Sequence, residues 1–358
     1  MTVPDPAIEI RMTTLHATRG ANFWSTRPVM RMDITVGAYE DISSADVPGF
    51  TEALMTTMPG LIEHRCSIGE RGGFLVRLRD GTYVAHIIEH VALELQTMIG
   101  HDVGYGRTRG GDIEGEYTIV FEHMHEAVGL RAAALALETV QQAFCGTLTS
   151  VDHAVAELNA LASKPDVPLL HQHVLCGITG GSDRAATRDE MVRRGISSDE
   201  LIIDVSPSFL LQAGLPYSKS DIAIITDAKL TDVPERYADE ERAQRLLATV
   251  ADAVDNGGIV IVPAKEWDIQ EKVRDAGCRV AIFATDANVT RRDRKLARAV
   301  ALIINDRIII EMKGEKTDHG LVRSDAPLGA QVAGALAAFT LNEIHPQAAA
   351  VTASEQLT

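Results

Sequence analysis

The chain has 358 residues, room for two domains with separate cores, and its 46% apolar and 23% charged residues are those of an ordinary globular protein. Its net charge of −16 argues against a nucleic-acid partner and favours a neutral or cationic one. No apolar run approaches the roughly twenty residues of a membrane span, and MTVPDPAIEIRMTT lacks the basic and apolar regions of a signal peptide.

The first half predicts mixed α and β structure. Residues 29–36 alternate like a strand, and 48–61 read as a helix behind a proline. GGFLVRL is expected to be a strand following a glycine pair. GTYVAHIIEHVALELQTMIG reads as a helix closed by Gly100, EYTIVFEH as a strand, and 126–144 as a long alanine-rich helix. The two prolines of LNALASKPDVPLLHQH mark a break. It suggests a domain over 1–160, a linker over 161–170, a second domain over 171–345 and a frayed tail over 346–358. Beyond the break, HVLCGIT, ELIIDV, DIAIITDA, GIVIVPA, RVAIFAT, AVALIIND and IIIEMKG are short apolar runs punctuated by helices such as 239–255. That rhythm predicts a parallel, helix-covered sheet. The fold class is therefore α/β, a mixed α+β domain followed by a parallel-sheet domain.

The chemistry concentrates in the first domain. His86 and His90 lie four residues apart and share one face of the predicted helix, with Glu89 beside them. This H-x-x-E-H spacing is that of inverted zincins, although a helix that simply turns its polar residues to water would look the same. A metal there needs a third protein ligand. Cys66, just before a glycine-rich turn, offers a thiolate, and Glu122 offers a carboxylate from a later element. Glu89 suits a general base acting on a metal-bound water. Glu94, one turn beyond His90, suits an orienting partner for an imidazole, and His64 lies beside Cys66. Arg71 and Arg77 flank the Gly72–Gly73 pair, and Arg107 and Arg109 stand in GYGRTRGG. These arginines suit carboxylate binding, or in the first pair mere solvation of a turn. GYGRTRGG is a poor phosphate loop, because no strand is predicted to feed it and no Lys-Ser/Thr follows. The four cysteines, Cys66, Cys145, Cys176 and Cys278, are scattered, which suits a reducing cytoplasm.

The blocks TRGANFWS, RMDI, PGFTEAL, EHRCS, RGGFLVRLRDGT, HIIEHVALELQ, GYGRTR and EYTIVFEH follow in order through most of residues 14–145. In that order they resemble the N-terminal domain of the cyanophycin synthetase family. The resemblance implies a metal-dependent hydrolase that cuts cyanophycin, an aspartate backbone bearing arginine side chains, into short priming chains. It matches Cys66, His86 and His90 to the family's metal ligands and Glu89 to its base. Val76 departs from the pattern, since the family usually carries a carboxylate there.

The family's ATP-grasp domain has no counterpart in a chain of this length. VLCGITGGSDRAATRDEM stands instead where the family's Mur-ligase-like domain has its phosphate loop. It has neither the lysine that reaches outer phosphates nor a magnesium-binding hydroxyl in register, and it carries Asp183. Residues 171–345 are accordingly expected to be a degenerate Mur-ligase-like domain without ATP. The predicted function is a Zn²⁺-dependent hydrolase (another divalent metal being acceptable) that shortens cyanophycin or a related polymer, without ATP-dependent ligase activity. The alternative is a non-catalytic paralogue that scaffolds or regulates a full-length synthetase. A homo-oligomer is expected, and neither nucleic acid nor membrane is expected as partner.

Overall fold

The computed structural model describes residues 4–25, 27–166, 171–196, 201–230, 233–237 and 239–345. The tail over 346–358 and residues 167–170 of the expected linker lie outside the described residues. The chain divides into two compact units, Met1–Arg19 with Trp24–Leu169, and Gly20–Phe23 with Leu170–Thr358.

In the first unit the strands are β1 (Arg11–Ala17), β2 (Val29–Thr35), β3 (Gly106–Gly110) and β4 (Glu116–Glu122). They form an antiparallel sheet in the order β1-β2-β4-β3. Its helices are α1 (Pro6–Glu9), α2 (Phe50–Thr57), α3 (Gly73–Asp80), α4 (Val84–Thr97), α5 (Glu126–Phe144) and α6 (Asp152–Ala162). Val84, Ile87, Ile88, Val91 and Leu95 recur at helical spacing on α4 and are fully buried. They pack α4 against β3, β4 and α5. Helix α5 answers with Val128, Ala132, Leu135, Ala136, Val140 and Ala143.

One expectation fails in this unit. GGFLVRL belongs to helix α3 and is not a strand. Gly72 and Gly81 take φ of +84° and +105°, so the chain reverses at both ends of the segment. Between them, Phe74 and Leu78 bury the i, i+4 stripe of a helix. GYGRTRGG supplies strand β3 itself, an edge strand whose residues face solvent in part.

In the second unit the strands are β5 (His171–Thr179), β6 (Ile202–Asp204), β7 (Tyr217–Ile225), β8 (Val254–Pro263), β9 (Arg279–Phe283), β10 (Val300–Ile304), β11 (Arg307–Met312) and β12 (Glu315–Leu321). They lie in the order β12-β11-β10-β9-β8-β7-β5-β6. From β6 to β10 every pairing is parallel, as the apolar runs predict. The last two strands turn back antiparallel. The β10–β11 turn is made by Asn305 and Asp306, both left-handed (φ +49° and +58°), which suits a two-residue hairpin. Helices α7 (Arg184–Arg193), α8 (Pro207–Ala213), α9 (Glu240–Ala248), α10 (Trp267–Asp275), α11 (Arg291–Leu296) and α12 (Leu328–Ile344) complete the unit. The nearly all-apolar α12 packs on α7 and on β7 and β10. Among the described residues no helix is long and apolar enough to cross a membrane.

Candidate functional site

The exposed side of α4 opens on a cleft of about 940 Å³ in the first unit. Cys66, His86 and His90 meet in its wall, with ligand atoms all within 4.8 Å of one another. Cys66 lies in the left-handed region at φ +53°, a conformation sparsely populated by residues with side chains. Its Sγ is 3.2 Å from His86 Nε2. His86 Nδ1 is 2.8 Å from Thr82 Oγ1, which fixes the ring. His90 lies against Phe74, ring centroids 3.9 Å apart and nearly parallel. Burial pushes His86 down to about 4, helped by the charge of Arg77. Burial also pushes His90 down to about 2, with His86 and His64 adding to it. Both imidazoles are therefore neutral at neutral pH and each has a lone pair to give.

The donor set fits a metal ion. Ligands at about 2.0–2.3 Å from a tetrahedral ion lie roughly 3.5 Å apart, close to the 3.2 Å between Cys66 Sγ and His86 Nε2. One thiolate with two imidazoles suits a borderline-soft divalent ion. Glu122 is committed elsewhere: its Oε2 accepts from the N–H groups of Gly104 and Tyr105, both at 3.2 Å.

Glu89 reaches the same cleft from the next helical position and is buried. Burial pushes its carboxyl up to about 7, against a bond from Thr108 Oγ1 to Oε2 at 2.6 Å. A Cβ on Gly106 would stand 2.7 Å from Glu89 Oε1, so glycine there makes room for the carboxylate. A carboxyl so held exchanges its proton near neutral pH.

The four arginines separate. Arg107 lines the cleft. Arg71 is exposed and paired with Glu63 at 2.5 Å, and Arg77 donates to Ser67 Oγ at 3.0 Å. Arg109 stands on β3, and neither it nor Arg71 nor Arg77 is among the residues lining the cleft. Val76 is exposed on α3, also off the cleft lining. Thr82 and Thr108 escape a sequence reading, because threonines on separate elements carry no spacing signal.

In the second unit, two successive backbone N–H groups of the loop between β5 and α7, a pair that could face an anion, are already engaged by a carboxylate. Asp227 accepts from Gly181 N at 2.9 Å, from Ser182 N at 3.0 Å and from Ser182 Oγ at 2.5 Å. Asp183, expected to repel a phosphate, takes a left-handed conformation (φ +59°) at the start of α7.

Residues 29–144 match the family model described as cyanophycin synthase-like N-terminal domain. The first unit is such a domain. The cyanophycin synthetase of Synechocystis sp. is 43% identical over 148 residues, covering 39% of this chain and 16% of that protein. The enzyme of that name from Trichormus variabilis is 34% identical over 256 residues, covering 70% of this chain and 27% of that protein. The second alignment is longer than the cyanophycin synthase-like unit and so runs beyond it. The chain thus spans between 16% and 27% of the length of these relatives. Among solved structures, the MurF ligase from Thermotoga maritima in complex with ADP superposes with a TM-score of 0.33 at 9% identity, covering 49% of this chain and 46% of that one. MurF from Acinetobacter baumannii gives 0.31 at 13%, covering 65% and 50%. Similarity at this level transfers no chemistry.

These relatives correct the functional expectation. Cyanophycin synthetase is a ligase-type name, and it overturns the expected zinc-dependent hydrolase without ligase activity, which rested on the family resemblance together with the H-x-x-E-H spacing. The spacing reports two imidazoles and a carboxylate on one helical face, a geometry that does not specify bond cleavage.

Proposed function

We propose that this protein acts in ligase-type chemistry on a cyanophycin-like polymer, and that the cleft of its cyanophycin synthase-like unit holds the polymer. The observation that carries the reading is the charge of the cleft in a domain of that family. Glu63, Glu89 and Glu94 line it together with Arg65 and Arg107. A polymer presenting guanidinium and carboxylate groups together needs partners of both signs. The net charge of −16 adds long-range attraction for arginine side chains. Cys66, His86 and His90 are proposed to bind a divalent metal beside the polymer, and Glu89 to exchange a proton there.

Sedimentation with insoluble polymer tests the binding. The wild-type chain is expected to pellet with it, and Arg107→Glu to bind at least roughly fivefold more weakly, as loss and reversal of one charge pair implies. Equal pelleting by the variant would remove Arg107 from the surface, and no pelleting by wild type would refute the proposed function. Ligase-type action is read separately, as ATP-dependent incorporation of labelled arginine into polymer, and absence of incorporation with any primer would count against it.

Nucleotide at the β5–α7 loop competes with Asp227 in this reading. Asp227→Ala is expected to tighten binding of inorganic phosphate or ADP by about tenfold or more, since hydrogen bonds to a charged group are worth about 1.5–3 kcal/mol each. Calorimetry with both ligands checks this. Unchanged affinity would show that the loop is not an anion site even when freed.

A further inference from the structure

Beside the Cys66–His86–His90 cluster, a chain of polar groups runs along the wall of the same cleft. Glu94 Oε2 lies 3.0 Å from His64 Nε2. His64 Nδ1 in turn lies 2.8 Å from His90 Nδ1. Glu94 is 3% exposed, and a Cβ on Gly60 would stand 2.0 Å from its Oε1, so the backbone at Gly60 is shaped around this carboxylate. His64 also belongs to the aromatic cluster, 6.3 Å from Phe74 and 5.1 Å from His90 between centroids.

Taking Glu94 as a carboxylate and both rings as neutral, the hydrogens along this chain have one consistent arrangement. A carboxylate only accepts, so the hydrogen between Glu94 and His64 sits on His64 Nε2. A neutral imidazole carries one hydrogen, so His64 Nδ1 is then an acceptor. The hydrogen in the short contact between the rings must therefore come from His90 Nδ1. That leaves His90 Nε2 with its lone pair free. We infer that Glu94 and His64 are positioning residues that hold His90 in the Nδ1–H tautomer, so that Nε2 is the atom offered to a metal. Fixing a ligand's tautomer through its other nitrogen is a general device of metal sites. Thr82 cannot impose a tautomer on His86 in this way, because a hydroxyl both donates and accepts. The pair acts on His90 alone.

The inference rests on the proposed metal site, but the tautomer is read without metal. Nitrogen-15 chemical shifts of histidine in the metal-free full-length chain distinguish the tautomers. His90 is expected as Nδ1–H and His64 as Nε2–H, and His90 found as Nε2–H would overturn the inference. In a cobalt(II) titration, His64→Phe keeps an aromatic ring against Phe74 but removes the relay. It is expected to weaken cobalt about 10–100-fold, the usual cost of losing a group that orients a ligand. Glu94→Gln retains an acceptor oxygen and is expected to stay within a few fold of wild type, while Glu94→Leu should match His64→Phe. Wild-type affinity in both His64→Phe and Glu94→Leu would overturn the relay while leaving the metal site standing. Failure of the wild-type chain to bind cobalt would refute the metal site, and the nitrogen shifts would still decide the tautomer.

Discussion

His86→Ala is expected to lower divalent-metal affinity by more than roughly a hundredfold, because losing a group that merely orients a ligand already costs about 10–100-fold. His86 Nε2 faces Cys66 Sγ at 3.2 Å, and no other histidine or cysteine joins the cluster among the described residues. A cobalt titration followed by visible absorption separates the ligands. The wild-type chain should show a thiolate-to-cobalt charge-transfer band, which Cys66→Ser should abolish while leaving weak binding through the imidazoles. His86→Ala should shift both the affinity and the ligand-field bands. Circular dichroism of the metal-free variant guards against misfolding, since alanine is an excellent helix former at this position. Cobalt bound by His86→Ala as by wild type would remove His86 from the site. Retention of the charge-transfer band in Cys66→Ser would remove Cys66.

The second large effect lies in the other unit and concerns stability. Glu190 on α7 is buried, and its carboxylate accepts from Arg193, Arg194 and Arg323 at 2.5, 2.6 and 2.8 Å. Gly334 on α12 admits the contact, since a Cβ there would meet Glu190 Cβ and Cγ at 2.8 Å. Glu190→Gln leaves three guanidinium groups sharing a neutral partner, and breaking a buried pair of this kind costs about 3–5 kcal/mol. Two of the arginines are partly exposed, so a loss near the lower end, about 3 kcal/mol, is expected. Hydrogen exchange of α7 and α12 amides measures it within this unit.

The pH dependence has a definite sign. Burial raises the Glu190 carboxyl, and the bonds from Arg193 and Arg194 outweigh it, so the net shift is downward. A carboxyl lowered on folding contributes stability above its unfolded value of about 4.3, lost as pH falls from there through the folded value. The gap between wild type and Glu190→Gln should thus be full at neutral pH and shrink in acid. A gap independent of pH down to about 3 would contradict an ionised Glu190 network.

Much of the architecture is legible because it is written in local periods. His86, Glu89 and His90 share a helix whose apolar stripe of Val84, Ile87, Ile88, Val91 and Leu95 is plain in the sequence. The strands from β5 to β10 are apolar runs, as strands buried on both faces must be. Polar, partly solvated strands hide: β1, β3 and β12 bury too little to show an apolar rhythm. Helix α3 is misread because PheLeuVal resembles a strand, and only the left-handed Gly72 and Gly81 reveal the turn at each end. Helix α12 is apolar all round, so it shows no amphipathic stripe to read. At the site, Cys66 and Glu94 are named from donor chemistry and family resemblance alone, because their links to His86 and, through His64, to His90 join residues 20 to 30 positions apart. No local spacing encodes such distances. The reaction is legible least of all, because imidazoles, thiolate and carboxylate serve many chemistries and the relatives correct the one first read from them.

Hydrogen exchange of the full chain, with and without a soluble aspartate–arginine polymer, tests most directly whether the cleft beside Cys66, His86 and His90 is the place where polymer binds. Protection is expected at residues 63–67, 82–83 and 103–108, which line the cleft. Protection confined to residues 171–345, or none under conditions where the polymer pellets the chain, would contradict the assignment.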